Sequence, residues 1–94
     1  MKLEVVLTPR AKETFIATIL QIKDKWGDNS ANKFVENAYN VLDTIAQQPF
    51  LFKAYQEENV RKAFITKQTS LIYRVTTDRI EVLFFWDNRQ EPIF

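Results

Sequence analysis

Chemistry in this chain would have to begin from its cations. Between residues 60 and 79 stand Arg61, Lys62, Lys67, Arg74 and Arg79, with Asp78 the one carboxylate, a net +4 in a chain of formal charge +1. A basic stretch on a near-neutral protein suits a phosphate or an acidic partner. Arg89 lies further on, between Asp87 and Glu91, and a local ion pair accounts for it as readily as a phosphate contact. The chain has no Cys and no His. Disulfides, thiolate nucleophiles and zinc–thiolate clusters are thereby excluded, as are Ser–His–Asp and His–metal chemistry. Catalysis of any kind would fall to Lys, Arg, Tyr or carboxylates.

These residues need elements to hold them. Leu3–Leu7 reads as a short strand with Leu3, Val5 and Leu7 on one face. Thr8-Pro9 opens a helix: Thr caps well, and Pro at the first helical position gives up an N–H that has no intrahelical partner. Phe15, Ile16, Ile19, Leu20, Ile22 and Trp26 carry the helical spacing onward, and Gly27, the only glycine, falls where a left-handed residue ends a helix. Asp28, Asn29 and Ser30 offer caps for a second helix, whose stripe runs from Phe34 to Ile45 before Pro49 stops it. Two helices joined by about three residues form an antiparallel hairpin. Phe50 to Asn59 has no clean period and reads as a loop.

Three strand-like runs follow, Val60–Ile65, Leu71–Val75 and Ile80–Trp86, separated by polar turns at 66–69 and 76–79. Val82 to Trp86 is wholly apolar, as a central strand buried on both faces would be. The order is β-α-α-β-β-β. It defines one α+β domain over residues 1–94, a helical hairpin packed on a small antiparallel sheet. Arg61, Lys62 and Arg74 then have two readings, a solvated sheet face or a ligand-binding one. Tyr73 reads as core, and Trp26 and Trp86 as core or its rim. Phe50, Leu51 and Phe52 read either as core cover or as a partner-binding surface.

At 94 residues and 46% hydrophobic composition, the chain can bury roughly 65% of its unfolded surface in a modest core, and disorder is not expected. Met1–Leu7, which holds Lys2 and Glu4, lacks the apolar run of a signal peptide. No stretch reaches the roughly 20 apolar residues of a bilayer span. A soluble protein at home in a reducing cytoplasm is the expectation, without a membrane partner.

Six local motifs, in order, carry a resemblance. Thr8-Pro9-Arg10-Ala11, then Trp26-Gly27 followed by Ala31 and Phe34, then Pro49 are the first three. Val60-Arg61-Lys62, Leu71-Ile72-Tyr73-Arg74-Val75 and Asp87-Asn88-Arg89-Gln90-Glu91-Pro92 complete the set. Together they span nearly the whole chain, which resembles the RelE/ParE superfamily of bacterial type II toxin–antitoxin toxins. The resemblance implies a growth-inhibiting toxin, associated with plasmid stabilisation, that is neutralised by a cognate antitoxin in a hetero-oligomer. Antitoxins of the superfamily cover the basic sheet face and the helices, and Phe50, Leu51 and Phe52 are the candidate contacts here. RelE-like members cleave ribosomal A-site mRNA without a metal, and ParE-like members inhibit DNA gyrase. No cofactor and no metal are implied.

For RNA cleavage, the resemblance makes Arg61, Lys62 and Arg89 the candidate catalytic cations. Arg61, Lys62, Lys67, Arg74 and Arg89 are the candidate target or phosphate contacts. Metal-free cleavage needs activation of the 2′-hydroxyl, cations on the phosphorane and an acid for the leaving oxygen. Two groups depart from the RelE-like pattern. Ser70 stands where that pattern has an Arg, and Phe94, without a hydroxyl, follows where a proton-transfer residue is expected. Losing both costs about 10² to 10⁴-fold or more. The departures favour a ParE-like growth inhibitor. A ribosome-dependent mRNA interferase and a non-toxic antitoxin-binding module are the alternatives.

Overall fold

The computed structural model describes residues 3–55 and 59–90. Its elements are β1 (Glu4–Leu7), α1 (Pro9–Trp26), α2 (Asp28–Gln47), β2 (Ala54–Tyr55), β3 (Val60–Phe64), β4 (Thr69–Val75) and β5 (Arg79–Asp87). The strands form one sheet in the order β1-β5-β4-β3-β2. β2 to β5 pair antiparallel, whereas β1 joins β5 in parallel. The α+β architecture is therefore the expected one, with two corrections. The sheet is mixed at one edge, and the stretch read as loop contains the two-residue strand β2, too short to show any period.

Thr8 does two jobs at the start of α1. Its hydroxyl accepts from the N–H of Ala11 at 3.1 Å, capping the helix, and donates to the carbonyl of Leu83 on β5 at 2.9 Å. β1 pairs with β5 only as far as Val82. Beyond it the outer edge of β5 is met by α1, where the Thr14 hydroxyl accepts from the N–H of Phe85 at 2.9 Å. A short strand and a helix together thus cover an edge that would otherwise be open to pairing. Valine at Thr14 keeps the shape and removes that acceptor, so it is expected to cost about 1–2 kcal/mol, readable as a lower midpoint in urea.

The helices meet at a single residue rather than three. Gly27 ends α1, its N–H bonding the carbonyl of Lys23 at 2.9 Å, and α2 begins at once. Its φ of 93° with ψ of 178° lies in a region essentially reserved for glycine. Because Gly27 is itself the residue before α2, Asp28, Asn29 and Ser30 are inside the helix, and none of them supplies a side-chain cap.

Ala11 and Ile45 from the helices close on Ala63, Leu71, Tyr73, Val75, Ile80, Val82 and Phe85 from one face of the sheet. Phe15 stacks on Phe85 with ring centres 4.9 Å apart. A bulge in β5 keeps that face continuous: Ile72 is opposite Phe84 and Tyr73 opposite Val82, leaving Leu83 as the extra residue. The other face carries Lys62, Phe64, Ser70, Ile72, Arg74, Glu81, Phe84 and Trp86, by alternation along the paired strands. β5 is an inner strand as expected but is not buried on both sides. Phe84 and Trp86 are half-exposed there, edge-to-face at 6.3 Å, with the Arg10 guanidinium 4.1 Å from the Phe84 ring centre. Trp26 departs further from expectation. It is 69% exposed, being the last residue of α1, while the stripe that reaches the sheet runs through Ala11, Phe15 and Ile22.

Candidate functional site

Successive strand residues point to opposite faces, so Arg61 and Lys62 do not act together. Arg61 is opposite Tyr73, two pairs along from Ala63 and Leu71, and so lies on the helix-bearing face. Its guanidinium donates to the carbonyl of Phe52 and to the Asn59 side-chain oxygen, both at 2.6 Å, and sits 4.9 Å from the Phe50 ring centre. Its Nε is buried and has no hydrogen-bond partner among the described residues. Asn59 has a φ of 61°, a left-handed conformation that Asn tolerates. Arg61 thus clamps the segment that enters β3. The apolar run before it is split. Phe50 and Leu51 are exposed, while Phe52 packs against the core, so Phe52 is not part of an exposed patch.

Lys62 lies on the open face with its ammonium 5.2 Å from the Phe64 ring centre. On the same face Glu81 receives Arg79 at 3.1 Å and Arg74 at 3.9 Å. The +4 stretch is therefore not one basic face. Arg61 turns to the other side of the sheet, and Glu81, just past the stretch in sequence, stands between Arg74 and Arg79. Lys67 projects from the β3–β4 turn, which is tied to the end of β5 by the N–H of Asn88 on the Gln68 carbonyl at 2.7 Å.

Arg89 is paired where it stands. Its Nε and Nη2 donate to the two Asp87 carboxylate oxygens at 3.0 and 2.8 Å. The Arg89 hydrogen bond holds the Asp87 carboxyl below the usual carboxylate range, and the charges of Arg89 and Lys25 add to this. Asp87 is opposite Thr69, whereas Arg61 is opposite Tyr73. Four strand positions separate the two levels, about 13 Å. Ser70 is fully buried, its hydroxyl bonded to the Asn88 side-chain oxygen at 3.0 Å. Tyr73 is core as expected. Its phenol donates to the Pro49 carbonyl at 3.0 Å, and burial pushes its pKa up to about 12. Phe94 and Glu91 lie outside the described residues.

One cavity was not anticipated. A cleft of about 380 Å³ opens where the helix–helix junction faces the β3–β4 turn and the end of β5, lined among others by Lys25, Trp26, Lys33, Gln68 and Arg89. The signal available in sequence was slight: Lys25-Trp26 beside the only glycine, and Lys33 early in the next helix. Among the described residues no helix is long and apolar enough to cross a membrane.

The arrangement, two helices on one face of a five-stranded sheet, is that of several solved toxins. The chain is similar to a structure described as the chromosomal ParDE toxin–antitoxin system of P. aeruginosa, with a TM-score of 0.78 at 17% identity over 92% of this chain and 96% of that one. It is similar to the YoeB dimer of Staphylococcus aureus, with a TM-score of 0.63 at 19% identity over 89% and 94% of the two chains. It also resembles the RelBE2 toxin–antitoxin complex of Mycobacterium tuberculosis, with a TM-score of 0.64 at 16% identity over 94% and 100%. A search of curated proteins found no match. The fold is thus that of the RelE/ParE toxins. Within that class, the family model described as "ParE toxin of type II toxin-antitoxin system, parDE" matches residues 5–92, and the chain belongs to this family.

Proposed function

We propose that this toxin arrests growth by acting on DNA gyrase in the bacterial cytoplasm, and that a cognate antitoxin binds and neutralises it. The reading is supported most by one observation: the cations that RNA cleavage would require do not converge. Arg61 is committed to Phe52 and Asn59 on the helix side, Lys62 faces the open side, and Arg89 is held by Asp87 at the far end of the strands. The buried Tyr73 phenol keeps its proton far above neutral pH. A phosphorane formed near any one of these groups would lack the others. The antitoxin is expected to cover the exposed apolar side chains, Phe50 and Leu51 among them.

Expression of the chain alone from a tightly controlled promoter is the test. Growth should stop, plasmid supercoiling should fall, and co-expression of the neighbouring antitoxin gene should restore both. Normal growth would instead leave a non-toxic antitoxin-binding module. Retained supercoiling with A-site mRNA cleavage that is lost in Arg89→Ala would make the protein an mRNA interferase.

A further inference from the structure

The cleft at the helix–helix junction shares only Asp87 and Arg89 with the groups weighed above, and its lining is selective. Lys25, Lys33 and Arg89 bring three positive charges to it against the single carboxylate of Asp87, which Arg89 already neutralises. None of the ion pairs among the described residues uses Lys25 or Lys33. Ile22 adds apolar surface, the buried Phe34 borders it, and Gln21 and Gln68 add amides that can both donate and accept. Trp26 lines the same cleft while 69% exposed. A large indole left in water in a cleft with the Lys25 and Lys33 ammonium groups is costly as packing and useful as a stacking platform.

We propose that this cleft binds a nucleotide, with the base against Trp26, the amides of Gln21 and Gln68 at its edge, and the phosphate among Lys25, Lys33 and Arg89. The volume, about 380 Å³, is at the small end of ligand sites and suits one nucleotide unit. An acidic peptide would answer the charges and leave the indole in water, and an apolar ligand would leave the lysines unanswered. The site is separate from Arg61 and Lys62 and involves no bond making. It stands whether or not gyrase is the target. The nucleotide has two sources, free in solution or as one unit of a single strand.

The test uses the full chain carrying Trp86→Phe, which leaves Trp26 as the single tryptophan reporter. Adenosine monophosphate, tetrathymidylate, inorganic phosphate and a glutamate-rich peptide are each titrated while its fluorescence is followed. Calorimetry on the unaltered chain repeats the series. Saturable quenching by a nucleotide is expected. Binding should weaken about tenfold or more in Lys33→Ala by fluorescence and in Trp26→Ala by calorimetry, with melting temperatures little changed because both side chains are exposed. Tighter binding of adenosine monophosphate assigns the site to a free nucleotide, and tighter binding of tetrathymidylate assigns it to a strand. No saturable binding of either, equal binding of phosphate alone, or tighter binding of the peptide would each overturn the proposal.

Discussion

Replacing Arg61 with alanine is expected to lower stability by about 2–4 kcal/mol, which for a domain of this size means a melting temperature lower by roughly 10–25 °C. Two charge-assisted hydrogen bonds are lost, and the carbonyl of Phe52 and the side chain of Asn59 are left without their donor. The guanidinium also leaves the face of Phe50. Lysine should restore little of this, because an ammonium cannot span both acceptors with the fork geometry of arginine. The measurement also separates two roles for the residue. A side chain reserved for a target would melt like the unaltered protein once removed and lose only toxicity. A clamp lowers the melting temperature first.

Above pH 10 the protein should lose stability in a way that Tyr73→Phe suppresses. The folded pKa of Tyr73, about 12, lies above the ordinary phenol value of about 10, because burial disfavours the phenolate. Below pH 10 both folded and unfolded chains hold the proton, so this group contributes no pH dependence. Between pH 10 and 12 the unfolded chain releases it and the folded chain retains it. The unfolded state then binds fewer protons, and stability falls as pH rises, by about 2–3 kcal/mol at the upper end. Phenylalanine removes the titration and also the bond to the Pro49 carbonyl. Tyr73→Phe should accordingly be less stable near neutral pH, by about 1 kcal/mol, yet show a flatter alkaline limb. Urea midpoints of the two proteins from pH 8 to pH 12 give both readings.

Local backbone chemistry was the legible part. Thr8-Pro9, Gly27 and Pro49 each act within a few residues of themselves, and the structure uses them as expected, down to the Thr8 cap and the positive φ of Gly27. Pairing over long separations was not legible. Nothing in Glu4–Leu7 says that its partner is β5, or that the two run parallel. Ala54–Tyr55 gains strand character only from β3 beside it. Trp26 fits the helical spacing, but its exposure depends on where the sheet ends, which no single helix encodes.

The site follows the same division. That Arg61 and Lys62 oppose each other is implied by adjacency on a strand. That Arg61 is the one turned towards the helices follows from Ala63, Leu71 and Tyr73 sharing its face. Glu81 reaches Arg74 and Arg79 across a strand register that composition cannot show. The cleft draws on α1, α2, the β3–β4 turn and the end of β5, so its residues are scattered through the sequence and meet only in the fold.

The parallel pairing of β1 with β5 also sets a timetable for synthesis. Thr8 and Leu83 bond across 75 positions, so the first strand has no partner until nearly the whole domain has left the ribosome. Until then Phe15 can meet Phe34 and Tyr39 of α2 but not Phe85, the β5 ring on which it stacks. A nascent copy therefore lacks the finished surface through which it would poison a cell. The form to which growth arrest is ascribed in the proposed function is complete only once β5 has emerged and closed the sheet.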